Sequence, residues 1–334
     1  MTGELGDAAL DVIDAHVHVW DPAMQRMPWL DSADPRLNRR FTLDELAACY
    51  RQFAQRGVRF AGAVYVEIDC DDPLQEDRLI VADSDRRWLA KVMRADVCAG
   101  SAMRVPLLAA GVRDPLHVPS SGVGRCLSDD FIAGLEALGR AELPFDACMR
   151  RGELADLAEA HERSPQTVIV LDHMGNVTPA TFDGEYRRVM QRLAAVPTTY
   201  LKVSGYPTAD RGFVRELLAF SRETFGDRRM YASNWPVVES YATFAEHLET
   251  LLDEEGVNKT LFADTAARVY GIGDADRARA ARIEETGGAG AAGGVGTVGI
   301  VGAADQLGTI NHIDDDSEES CELILKACSA LLSR

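Results

Sequence analysis

Between Val12 and Gly271, short apolar, β-rich runs alternate with longer stretches of helical periodicity. Eight runs predict strands, at residues 12–19, 62–68, 90–97, 106–112, 144–149, 167–173, 199–204 and 229–233. Most are continuously apolar, the pattern of parallel strands covered on both faces. Helical patterns fill most of the gaps and carry start and stop signals. Thr42 caps a stretch over 43–56 that stops at Gly57, and Ser128 caps 129–140. Residues 152–163 end before Ser164-Pro165, and 183–195 end before Pro197. Residues 210–225 stop at Gly226, and 240–255 stop at Gly256. Eight strands alternating with helices over roughly 250 residues predict an α/β fold, a (β/α)8 TIM barrel. A doubly wound open sheet is the rival. It usually carries a glycine-rich first turn for phosphate, whereas here the first strand ends in His-Val-His.

The pattern changes after Ile272. Residues 274–285 predict a charged, Ala/Arg-rich helix. Residues 287–308 contain nine glycines and read as a flexible linker. An acidic run follows at 314–319. Residues 320–332 then place Cys321, Ile324, Leu325, Cys328, Leu331 and Leu332 near helical spacing. That spacing predicts a short amphipathic helix able to dock on the barrel or on a partner, with a functionless tail as the alternative. The chain thus divides into a barrel over 1–273 and an extension over 274–334.

Composition narrows the function. The 334 residues are 46% hydrophobic and 26% charged, which is globular. The formal net charge is −18. The extension holds five basic and eleven acidic residues, so the barrel region is acidic in its own right. Such a chain is a poor ligand for nucleic-acid backbones or anionic lipid. No run is long and apolar enough to span a bilayer, and the N-terminus lacks the features of a secretory signal. Seven scattered cysteines read as reduced thiols. The expectation is a cytoplasmic protein acting on a small molecule.

The chemistry gathers at predicted strand ends. His16 and His18 are two apart on the first strand, so both imidazoles share a face. At the C-terminal end of a barrel strand that face is the mouth, where two neutral imidazoles can hold a divalent metal. Asp172-His173 follows Val168-Ile169-Val170-Leu171, and Glu67 ends another apolar run. A carboxylate buried in a strand is costly unless it is paired or binds a cation. Lys202 and Ser204 end the seventh run, Cys148 and Arg150 the fifth, and Arg113 the fourth. Each has a structural alternative: Cys148 as a small packing residue, Glu67 and Lys202 as members of ion pairs. His117 falls in a loop, and His161 and His247 fall on helices among charges, which reads as surface.

These motifs in order make the chain resemble the amidohydrolase-related family of TIM-barrel hydrolases, nearest its sugar-lactone and pyrone-dicarboxylate lactonase branch. The resemblance runs from about Val12 to Ile272. It rests on Ile13-Asp14-Ala15-His16-Val17-His18-Val19-Trp20-Asp21-Pro22 with Pro28-Trp29-Leu30. It continues through Val66-Glu67, Gly111-Val112-Arg113, Phe145-Asp146-Ala147-Cys148 and Leu171-Asp172-His173-Met174-Gly175. It ends with Leu201-Lys202-Val203-Ser204-Gly205, Ser233-Asn234-Trp235-Pro236 and Ala266-Ala267-Arg268-Val269-Tyr270. It implies hydrolysis of a lactone or related ester or amide at the barrel mouth. His16, His18 and His173 would be metal ligands or carbonyl-polarising groups. Family members differ in needing a metal, so one zinc or manganese ion or a metal-free site is implied. Glu67 would be a further ligand or a wall carboxylate, and Asp172 a candidate base. Arg113, Arg150 and Lys202 would hold an anionic substrate, with Trp20, Cys148 and Ser204 beside it.

One departure stands out. The family's eighth strand normally ends Ser-Asp-Trp-Pro, and its aspartate activates the attacking water. Here the residue is Asn234, whose amide cannot accept that proton. General-base catalysis contributes about 10²–10⁴-fold. The loop after His173 reads Gly175-Asn176-Val177 where the family has His-x-Gly-Lys-Pro, so it keeps the glycine and lacks the lysine. A working hydrolase therefore needs another base, such as His173, Asp172 or Glu67. The alternatives are a barrel turned to decarboxylation, elimination or cyclisation, and a catalytically silent binding protein.

Overall fold

A computed structural model describes residues 9–285. The glycine linker, the acidic run and the amphipathic helix expected over 320–332 lie outside the described residues. The strands are β1 (Leu10–Val17), β2 (Val58–Val66), β3 (Trp88–Arg94), β4 (Gly111–Arg113), β5 (Phe145–Ala147), β6 (Ile169–Leu171), β7 (Thr199–Val203) and β8 (Arg229–Tyr231). They pair in chain order, each parallel to the next. The ring closes just beyond β8. Asn234 N–H donates to His16 O at 3.1 Å, and His18 N–H donates to Trp235 O at 2.8 Å. This is the (β/α)8 barrel that the alternation predicts.

The helices are α1 (Leu43–Arg51), α2 (Pro73–Ala82), α3 (Asp129–Arg140), α4 (Leu154–Arg163), α5 (Gly184–Ala195), α6 (Arg211–Phe225), α7 (Phe244–Glu255), α8 (Thr265–Val269) and α9 (Asp274–Glu285). Capping residues fix most starts. Thr42 and Glu45 form a capping box on α1, as Thr243 and Glu246 do on α7, which therefore begins later than residue 240. Asp72 caps α2, with Pro73 in its first turn. This helix escapes a periodicity reading because its buried positions are only Glu76 and Ile80. The charged α9 is present and packs against β2 and β3.

The third and fourth strands depart most from expectation. β3 ends at Arg94, because Asp96 accepts from Cys98 N–H and starts a tight turn over Val97–Ala102. β4 is only three residues long. Its expected start at Pro106 belongs to a turn closed by Ala109 N–H on Pro106 O. No α-helix joins β3 to β4 among the described residues.

Strand alternation sorts the core into two layers. Residues such as Val12, Ala63, Tyr65, Phe145, Leu171, Leu201 and Tyr231 pack in the larger core with the helices. The alternate residues Ile13, Ala15, Val64, Val66, Ala90, Val92, Val170, Met230 and Ala232 form a separate cluster with Ala263, Ala266, Ala267 and Tyr270. Asp146 and Lys202 alternate with outer-layer neighbours on β5 and β7, which puts them on the inner side. His161 and His247 correct the sequence reading, for both are fully buried. His161 bonds Thr167 O, Thr198 Oγ1 and Thr199 Oγ1, each at 3.0 Å, and His247 bonds Ala232 O at 2.9 Å. Their charged sequence neighbours lie on the other side of each helix. Burial pushes both imidazoles down to about 4, so they are neutral core residues.

Candidate active site

The end of β1 brings His16 and His18 together, with their Nε2 atoms 3.0 Å apart. His18 Nδ1 stands 2.8 Å from Val66 O, a carbonyl that can only accept. The proton of neutral His18 is therefore on Nδ1, and its Nε2 lone pair faces His16. The His173 ring lies edge-on to His16, with centroids 4.4 Å apart. Its Nδ1 is 2.9 Å from Ser204 Oγ. His173 sits in the left-handed region (φ 54°), as do Met174 and Asn176. Such backbone is costly and is held here by surrounding contacts. Gly205 makes room for it, because a Cβ there would lie 2.4 Å from His173 Cβ.

A buried charge network supports the imidazoles. Lys202 Nζ stands 3.1 Å from both His16 Nδ1 and Asp172 Oδ1, and it donates to Asp146 Oδ2. Tyr270 Oη is 2.9 Å from both Asp146 oxygens. Burial pushes Asp146 up to about 6, against the pull of Lys202. Burial also acts on Asp172, but the Lys202 ammonium outweighs it and holds that carboxyl well below its usual range. Burial lowers all three imidazoles: His18 and His173 to about 3 and His16 well below its ordinary value. Nearby cations add to this, Arg113 for His18 and Lys202 for His16. The three rings are thus neutral at pH 7.

Above this network lies a cavity of about 440 Å³. His18, Glu67, Arg113, Cys148, His173 and Asn234 are on its wall, together with Trp29, His117, Asn176, Gly205 and Tyr241. Glu67 Oε1 faces Arg113 Nε at 3.3 Å, yet neither atom completes a hydrogen bond. Glu67 Oε2 accepts from Asp69 N–H at 2.8 Å. Asn234 Nδ2 donates to Tyr241 Oη at 3.2 Å. Burial raises the Cys148 thiol to about 11, which keeps it protonated.

Several expected site residues lie off this wall. His16, Asp172, Lys202 and Ser204 form the layer beneath it. Trp20 is buried, donates to Leu37 O and packs edge-on to Trp29, which takes the wall position instead. Arg150 spends its guanidinium on the carbonyls of Leu116, Val118 and Ser121 and on Glu153, which pins the loop after β4. That loop carries His117 into the cavity, so it is not the surface residue its loop position suggests. Its Nδ1 is buried without a partner, and burial with nearby Arg113 pushes the ring down to about 4. Sequence reasoning assigns Asp146 and Tyr270 no role beyond their place in the motifs of the resemblance, and assigns Tyr241 none. Asp146 did leave a signal, as a carboxylate inside an apolar run.

The donor set fits a divalent ion. His16, Asp172 and His173 present ligand atoms within 4.8 Å of one another. His18 Nε2 is beside them, and the Asp172 oxygens complete no hydrogen bonds. Neutral imidazoles with a carboxylate are ligands that zinc or manganese accepts.

The chain belongs to the amidohydrolase family, whose model matches residues 13–272. It is therefore a hydrolase of the TIM-barrel type. Amidohydrolase 2 from Bifidobacterium longum subsp. infantis is 40% identical, with a TM-score of 0.72, over 79% of this chain and all of that one. An amidohydrolase from Burkholderia multivorans, crystallised with bound zinc, shares the fold at 24% identity and a TM-score of 0.67, over 78% of this chain and 99% of its own. An L-fucono-1,5-lactonase from the same species is 25% identical over 299 residues, 80% of this chain and 98% of that protein. Among the described residues no helix is long and apolar enough to cross a membrane.

Proposed function

We propose that this chain opens a lactone, or cleaves a comparable carboxylic ester or amide, of a small anionic molecule. The observation that carries the reading is Glu67 Oε1, a carboxylate oxygen without a hydrogen bond on the wall of the same cavity as His18, His173 and Arg113. The kinship to an L-fucono-1,5-lactonase supports the choice of a lactone.

In this reading Glu67 replaces the missing strand-eight base. It accepts a proton as water adds to the carbonyl carbon. The carbonyl π pair moves onto oxygen, where Arg113 faces the developing charge. Collapse of the adduct breaks the ring C–O bond, and the departing oxygen takes the proton from Glu67. His173, neutral and held by Ser204, orients the carbonyl, while His18, whose proton is spent on Val66 O, offers only a lone pair. A zinc or manganese ion held by His16, His18 and His173 would add Lewis acidity at that carbonyl. The neutral Asn234 leaves the wall one negative charge poorer, which favours a substrate carrying a carboxylate.

The test is acid release from a panel of aldonolactones and pyrone carboxylates, with metal content recorded. Glu67→Gln is expected to cut turnover by about 10²–10⁴-fold while the fold is retained. Full activity of that variant would overturn the assignment of the base. The amide at 234 favours one second reading, a reaction that excludes water, such as decarboxylation or elimination. A product that takes up no ¹⁸O from labelled water would favour it.

A further inference from the structure

Asn234 does more than lack a carboxylate. Its Nδ2 donates to Tyr241 Oη at 3.2 Å. A phenol oxygen has two acceptor positions and one proton. Asn234 Nδ2 takes one of those positions. Among the described residues no acceptor takes the Tyr241 proton. Tyr241, Asn234 and Gly205 all lie on the wall of the cavity that His173 and Arg113 share.

We propose that Tyr241 is a catalytic residue that donates its hydroxyl hydrogen bond to the reacting carbonyl oxygen, aimed there by Asn234. This rests on the hydrolase reading given above. As water bonds to the carbonyl carbon, the π pair moves onto oxygen and the Tyr241 hydrogen bond strengthens. The phenol keeps its proton throughout, and the pair returns when the ring oxygen leaves. Burial raises the phenol well above its ordinary value, so it remains a donor at working pH. An aspartate at 234 would reverse the polarity, because its carboxylate can only accept and would draw the phenol proton to itself. The asparagine is then an exchange of roles: the site gives up a base on strand eight and gains a free donor beside it.

Two measurements test this, one independent of turnover. With [¹³Cζ]tyrosine labelling, the hydroxyl proton of Tyr241 is assigned by its loss in Tyr241→Phe. The wild type is expected to show no slowly exchanging hydroxyl proton at this residue, and Asn234→Asp is expected to gain one. A protected Tyr241 hydroxyl in the wild type means that a protein acceptor already holds it, and this overturns the proposal. On any lactone of the panel that the wild type turns over, Tyr241→Phe is expected to lower kcat about 10²–10³-fold with KM little changed. An unchanged kcat, or a loss confined to KM, overturns it as well. If the wild type turns over no lactone, the lactonase reading fails alone, and the exchange measurement still decides the donor.

Discussion

The backbone N–H of Asn234 donates to the carbonyl oxygen of His16 across 3.1 Å. With His18 N–H on Trp235 O it closes the barrel and joins the two sequence motifs that frame the site. Asp14 braces the same seam. Its Oδ1 accepts from Ser233 N–H at 2.8 Å and its Oδ2 from Tyr50 Oη at 2.9 Å. Asp14→Ala leaves the Ser233 N–H buried without this acceptor and Tyr50 Oη with only Tyr231 Oη at 3.2 Å, and is expected to cost about 1–3 kcal/mol. Asp14→Asn keeps one acceptor and costs less. Chemical denaturation of both variants checks the ranking.

Lys202 is the cation between Asp146 and Asp172, and all three side chains are fully buried. Lys202→Met leaves Asp146 without its counter-charge and Asp172 with only Arg113, at 3.8 Å. Breaking a buried pair in this way costs about 3–5 kcal/mol. Adding Asp146→Asn removes one of the two charges, so the double variant is expected to recover part of the loss. Equal stability of wild type and Lys202→Met would refute the network's structural role.

Glu76, a buried neighbour of Glu67, predicts a pH effect on stability. It accepts from Tyr65 Oη and Ile68 N–H, and burial with nearby Glu67 pushes it up to about 7. The folded chain therefore holds this proton after the unfolded chain has released it. Stability is lost as pH rises from about 4.5 to about 7. Glu76→Gln keeps the acceptor oxygen and never ionises. Its advantage over wild type is expected to grow across that window, by about 1–3 kcal/mol in total. Unfolding curves at pH 4.5 and pH 8 measure it; a constant difference would contradict the account.

Gly205 holds a left-handed conformation (φ 76°) against His173. In Gly205→Ala the new Cβ meets His173 Cβ at 2.4 Å, so the imidazole must move. Turnover is expected to fall about tenfold or more, on the scale that ångström misplacements cost. A variant with native activity would show that the position of His173 is not critical.

The barrel was legible because its strands are continuous apolar runs and its helices carry caps such as Thr42 and Ser128. β4 begins later than the apolar run suggests, because the stretch before Gly111 is a proline-led turn with Leu107 and Leu108 exposed. Of the candidate site residues, His16, His18, Glu67, Arg113 and His173 are legible because polar groups end apolar strands, and Asn234 only through the family resemblance. Tyr241 and His117 are not, for they come from loops whose path depends on tertiary contacts such as Arg150 on the Leu116 carbonyl. Asp146 and Tyr270 meet across 124 residues, and nothing local marks that pairing.

The most direct test sets wild type beside Asn234→Asp on the lactone panel, at matched metal content. The account predicts lactone turnover by the wild type, since Glu67 serves as base and Tyr241 as donor. Turnover by Asn234→Asp alone would contradict it, and would show that the site needs the strand-eight carboxylate it lacks.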